Sequence, residues 1–118
     1  IVIEHLGGVG VKAQPPYDEF RRMLGLAARP NLTIKLPGFG EFCPVPLPEG
    51  NFPPLARLVV EAFGPQRVMW GSDFPPVSSR EGYDASFRVP QQYFSDLSSD
   101  EQAAIFGGTA LAVWGFPQ

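Results

Sequence analysis

The sequence predicts an α/β fold built from strand–helix repeats, and three observations carry that prediction. Three short apolar runs, Ile1–His5 (IVIEH), Leu32–Leu36 (LTIKL) and Arg67–Trp70 (RVMW), are rich in branched and large apolar residues and read as buried strands. They begin 31 and then 35 residues apart, the length a strand plus a crossover helix occupies. The segments between them carry helical periodicity. The order β-α-β-α-β argues for a parallel sheet with right-handed crossovers.

Each element has its own local justification. In the first intervening segment Phe20, Met23, Leu24 and Ala27 fall at i, i+3, i+4 and i+7, and Asp18 and Glu19 suit a helix N-terminus. Leu55, Leu58, Val59 and Ala62 repeat the pattern in the second, with Pro53-Pro54 near its start and Gly64-Pro65 to stop it. Beyond the third strand, Phe74–Asp84 reads as an irregular loop. A short helix is expected over Ala85–Phe94, weakened by Pro90. Ser98-Ser99-Asp100-Glu101 is a capping box opening a helix through Phe106. Gly107-Gly108 should interrupt it, and Thr109 is the expected N-cap of a closing turn, Ala110–Trp114.

Composition bounds the class. The 118 residues suit a single domain, and 44% hydrophobic with 13% aromatic residues suffices for a packed core. Only 18% are charged, which excludes a disordered tail. A net charge of −3 offers no basic footprint for nucleic acid, and no apolar run approaches the roughly 20 residues of a membrane helix. The single cysteine, Cys43, can form neither an internal disulfide nor a Cys-rich zinc site and reads as structural. The 13 Gly and 14 Pro exceed ordinary usage and indicate many turns. The chain opens directly on the strand-like Ile1-Val2-Ile3, which reads as the cut edge of something longer.

The most tempting local motif is misleading. Gly8-Val9-Gly10-Val11-Lys12-Ala13 follows a strand and matches GxGxx(G/A), the phosphate-cradling turn of dinucleotide folds. That chemistry needs a helix N-terminus directly behind the glycines. Here Gln14-Pro15-Pro16 stands in its place, and the second strand ends in Lys35-Leu36 with no acid to hold a ribose hydroxyl.

The candidate site lies elsewhere. His5, the one histidine, ends the first strand, and Asp73 follows the third in Trp70-Gly71-Ser72-Asp73-Phe74-Pro75. Singly, each has a plain structural reading: a histidine satisfied by backbone, an aspartate serving a turn. Together they sit at the carboxyl ends of parallel strands, where α/β folds place their ligand crevice. Imidazole can ligate a metal or polarise a carbonyl, and carboxylate can ligate or act as base. Lys35 interrupts an apolar strand and should face a polar site or an ion pair. Glu4 and Glu41 are compatible with solvation or pairing. Ser72 lies outside any GxSxG context, and Trp70 and Trp114 are expected in the core.

Four blocks in order now carry a resemblance: strand–His-Leu-Gly, Arg29–Leu36, Glu61–Pro75 with its FGPQRVMWGSDFP segment, and Ile105–Ala110. The chain resembles the C-terminal part of the amidohydrolase-related family, (β/α)8 TIM-barrel hydrolases similar to pyrone-dicarboxylate lactonase and aminocarboxymuconate-semialdehyde decarboxylase. The resemblance spans nearly all of residues 1–118. It implies a single partial domain, about three βα units of a barrel of about 250 residues.

It further implies hydrolysis of a lactone, amide or related carboxylic small molecule by activated water. Asp73 and His5 would be catalytic and would be the available metal ligands, with Lys35 binding substrate. The implied cofactor is a divalent metal such as zinc, with metal-free lactonase-type chemistry as the alternative. Pro37 and Thr109 depart from the family's common Ser and Asn. The family's His-x-His strand is missing from these residues, so the chain alone is expected to be inactive and to self-associate through open strand edges. A cytoplasmic location with neither nucleic-acid nor membrane partners completes the expectation. The competing reading is a non-catalytic α/β scaffold or interaction module of the same fold.

Overall fold

The computed structural model describes residues 1–9 and 13–117. Part of the Gly8–Ala13 motif therefore lies outside the described residues. The three strands form as expected and in parallel: β1 (Val2–Ile3), β2 (Thr33–Pro37) and β3 (Val68–Gly71), in the order β1-β2-β3. Val2 pairs with Thr33 and Ile3 with Ile34; Ile34 through Pro37 pair with Val68 through Gly71. Among the described residues β1 and β3 each have one unpaired edge.

Two crossover helices connect them, α1 (Asp18–Leu24), extended by a 3₁₀ turn over Gly25–Ala28, and α2 (Leu55–Phe63). Gly64 ends α2 at φ 79°, a left-handed conformation that favours glycine. The apolar periodicity packs as anticipated. Phe20, Leu55, Val59 and Phe63 from the helices meet Ile34, Leu36 and Val68 from the sheet in one cluster. Lys35, between Ile34 and Leu36, points to the opposite, polar face, as alternation along a strand requires.

The third helix, α3 (Tyr83–Tyr93), runs straight through Pro90. Proline there removes the N–H that should bond the Ser86 carbonyl four residues back. The Trp70 indole Nε1–H donates to that same carbonyl at 2.8 Å. A side chain from β3 thus replaces the missing helical donor and fastens α3 to the sheet.

α4 (Ser99–Ala103) opens on the predicted capping box, with both reciprocal hydrogen bonds formed between Ser98 and Glu101. The glycines interrupt the helix as expected: Gly107 leaves the helical region at φ 175°, ψ −44° and kinks the chain. The kink falls within a wide, π-type turn over Ala104–Gly108, and helical backbone resumes at Gly108 to lead into α5 (Thr109–Trp114). Thr109 does not cap that helix. Its backbone is already helical, one residue past Gly108 where the helix resumes, and its buried hydroxyl donates to the Pro65 carbonyl at 3.0 Å. Trp114 is likewise not in the core: it is 53% exposed, beside exposed Leu111, Val113 and Phe116. The six-residue α5 docks through Thr109, and nothing among the described residues covers its outer face.

At the amino ends of the strands Arg67 gathers four backbone carbonyls. Its guanidinium donates to Phe63, Arg29, Ala27 and Leu32 at 3.0, 2.9, 2.9 and 3.4 Å, tying both crossover segments together. No helix among the described residues is long and apolar enough to cross a membrane.

Candidate active site

β1 is short because the backbone turns left-handed immediately after it. His5, Leu6, Gly7 and Gly8 have φ of 43°, 54°, 69° and 72°. For His5 and Leu6 that conformation costs about 1–2 kcal/mol each. Leu6, only 1% exposed, anchors the turn in the core, and the Gly7 N–H donates to the Glu4 carbonyl at 2.8 Å. The turn swings the imidazole over the carboxyl ends of the strands.

Asp73 arrives from β3, also left-handed at φ 59°, a conformation its short polar side chain tolerates better than most. Its carbonyl accepts the Val77 N–H at 3.0 Å. Val77 is fully buried and its own carbonyl accepts from Arg80 and Gly82 at 3.1 and 2.9 Å. That anchored turn aims Arg80 back at Asp73.

His5 and Asp73 do converge: Nε2 lies 3.6 Å from Oδ1, an ion-pair distance rather than a hydrogen bond. The other aspartate oxygen, Oδ2, accepts from Arg80 Nη1 at 3.1 Å. The same Nη1 bonds Glu41, which stands in a short turn just past β2. His5 Nε2 also lies 3.9 Å from Glu4 Oε2, and Lys35 Nζ donates to Glu4 Oε1 at 3.0 Å. Lys35 therefore reaches His5 only through Glu4.

Glu41, Arg80 and Glu81 were not singled out as site residues by the sequence. Glu81 is buried; one carboxylate oxygen accepts the Gly40 N–H and the other lies 3.5 Å from Arg80 Nε without hydrogen-bond geometry. The signal that could have found this cradle is the pair Gly38 and Gly40. A Cβ on Gly38 would stand 2.6 Å from Ser86 Cβ, and one on Gly40 would overlap the Glu81 carboxylate. Glycines at such spacing after a strand mark a close approach.

Cys43, buried beside this cradle, has its thiol pushed up to about 11 by desolvation and then by the Glu81 charge, so it stays protonated and inert, in line with its structural reading. An open groove of about 760 Å³ between the loop at Leu47–Phe52 and α3 includes none of His5, Lys35 or Asp73.

The chemistry of a metal can be tested against these residues. One donor atom each from His5, Glu41 and Asp73 lies within 4.8 Å of the others, a nitrogen-and-oxygen set of the kind zinc accepts. Two features oppose it. Both carboxylates already bond the Arg80 guanidinium, and two like unit charges about 4 Å apart repel by about 4 kcal/mol in a partly screened site. His5 Nδ1 is buried without a partner, whereas a zinc-ligating ring ordinarily donates its second N–H to an acceptor. As arranged, the residues do not fit a divalent ion.

A family profile described as amidohydrolase matches residues 1–116. The chain belongs to the amidohydrolase family. Among curated relatives, the L-fucono-1,5-lactonase of Burkholderia ambifaria is 34% identical over 122 residues, covering 93% of this chain and 39% of the relative. That of Burkholderia multivorans is 38% identical over 60 residues, 50% of this chain and 20% of the relative. A crystal structure of a Burkholderia multivorans amidohydrolase with bound zinc superposes with a TM-score of 0.81 at 27% identity, covering 98% of this chain and 44% of that one. A Pseudomonas putida protein assigned as a 2-pyrone-4,6-dicarboxylic acid hydrolase shares the fold, with a TM-score of 0.72 at 24% identity over 100% of this chain and 44% of that one. The chain thus spans less than half the length of the relatives it matches, and its three parallel strands and helices are part of an amidohydrolase barrel.

Proposed function

We propose that residues 1–118 are one partial domain, the carboxyl-terminal three βα units of a barrel hydrolase that opens a small lactone by activated-water attack. The observation that carries this reading is the convergence of His5 and Asp73 at the carboxyl ends of non-adjacent strands. Asp73 takes a proton from water as its oxygen bonds the lactone carbonyl carbon, and His5 polarises the carbonyl oxygen. The ring C–O bond then breaks, and the proton passes from the Asp73 carboxyl to the departing alkoxide. Arg80 fixes Oδ2 of Asp73, leaving Oδ1 on the His5 side to meet water.

The charge balance supports a neutral substrate over a dicarboxylate. Lys35 faces Glu4, and Arg80 faces Asp73, Glu41 and Glu81, so the charge of each is balanced by carboxylates before a substrate enters. Lys35 keeps donors for a hydroxyl or ring oxygen while neutralising Glu4. The similarity to L-fucono-1,5-lactonases supports the same substrate class. We place the complete protein in the cytoplasm, acting on a small molecule.

The test is hydrolysis of neutral sugar 1,5-lactones by the barrel-length protein, followed with a pH indicator. Asp73→Asn should lower turnover by about 10³-fold or more, and residues 1–118 alone should show none. Full turnover by Asp73→Asn would sink the assignment.

A further inference from the structure

Arg80 places a cation among the carboxylates of the candidate site. One guanidinium nitrogen bonds carboxylates from two different loops, Asp73 after β3 and Glu41 after β2. Its Nε faces the buried Glu81 carboxylate at 3.5 Å. Glu81 in turn holds the backbone at Gly40, one residue from Glu41. The guanidinium is itself mostly buried and is fixed from behind by the turn anchored at Val77. Three carboxylates are thus organised about one permanent cation, and two of them are also the oxygen donors of the only three-residue donor cluster found among the described residues.

We infer that Arg80 is a positioning residue that joins Asp73 and Glu41 into one unit and supplies the positive charge a divalent ion would otherwise bring, so that the site rejects metal while Arg80 is present and accepts one when it is removed. The physical reason is competition for the same oxygens. A dication binding His5, Glu41 and Asp73 must displace two charge-assisted hydrogen bonds and sit beside the displaced guanidinium. With a neutral side chain in its place, the same three donors face one another with an uncompensated double negative charge, which a divalent ion relieves. The inference concerns the same site as the proposed hydrolysis but is read by binding rather than turnover, so the two can fail separately.

The test is titration of chelator-treated protein with Zn²⁺ by calorimetry and with Co²⁺ by visible absorption. Arg80→Met should bind one equivalent at least about 100-fold more tightly than the wild type, with the cobalt absorption of a low-coordinate site. Adding Glu41→Gln should abolish that gain. Arg80→Lys keeps a charge but cannot span both carboxylates, and should fall between. Equal, tight one-to-one binding by wild type and Arg80→Met, lost in Glu41→Gln, would overturn the inference. Circular dichroism reports whether Arg80→Met is folded. If it is not, the wild type and Glu41→Gln decide alone: a tight wild-type equivalent that Glu41→Gln loses overturns the proposal, and weak binding unchanged by Glu41→Gln upholds it.

Discussion

The two ends of the sheet solve opposite problems with the same residue type. At the amino ends of the strands, Arg67 meets four backbone carbonyls, the Thr109 hydroxyl meets a fifth, and the backbone is relaxed apart from the glycine at Gly64. At the carboxyl ends, Arg80 meets carboxylates and keeps Nε and Nη2 buried without a hydrogen bond. There His5, Leu6 and Asp73 are left-handed, and His5 Nδ1 is orphaned. Satisfied groups and relaxed backbone belong to stability; strained backbone and unmet polar atoms belong to sites kept ready for a ligand. In a barrel these are the two faces on which stability and chemistry are separately carried.

Substitutions at the amino end should therefore cost stability. Arg67→Met removes every side-chain bond to the carbonyls at Ala27, Arg29, Leu32 and Phe63, and a loss of about 2–4 kcal/mol in urea unfolding is expected. An unchanged midpoint would erase the contrast between the two ends. A smaller effect sharpens it midway along β3. Trp70→Phe leaves the Ser86 carbonyl without a donor and should cost about 1–2 kcal/mol. Pro90→Ala restores the helical N–H to that carbonyl, so in its background the Trp70→Phe cost should shrink by about 1 kcal/mol in a double-mutant cycle. Strict additivity would show that Trp70 does not act through Pro90.

The smallest effect is chemical. With its thiol raised from 9.0 to about 11, Cys43 has about a hundredfold less thiolate than an ordinary cysteine below pH 9. A thiol reagent at pH 8 should modify native protein only as fast as it opens. The raised value also means that the folded state holds this proton more tightly. That contribution to stability is complete below pH 9 and declines as pH rises through about 11. Rapid modification of native protein would contradict the burial.

What could be read from residues alone follows from how locally it is determined. Apolar spacing such as Leu55–Leu58–Val59–Ala62 and the Ser98–Glu101 box depend on neighbours within one or two turns, and both appear as expected. The meeting of His5 and Asp73 was legible because parallel topology brings strand ends together whatever the loops do. Glu41 and Arg80, 39 residues apart in two loops, meet only through the Val77 anchor and the Gly40–Glu81 contact, neither of which leaves a periodic trace. Trp114 and Thr109 were misjudged for one reason: residue type suggests a core position or a cap, but the docking of a short terminal helix decides both.

The separation of stability from chemistry is tested most directly by the melting temperature of Asp73→Asn, measured beside its lactone turnover. Asparagine is well suited to the left-handed backbone at position 73 and removes one of the crowded carboxylates. The account predicts a melting temperature equal to or above the wild type with turnover gone. A melting temperature that falls as far as that of Arg67→Met, with turnover retained, would contradict it.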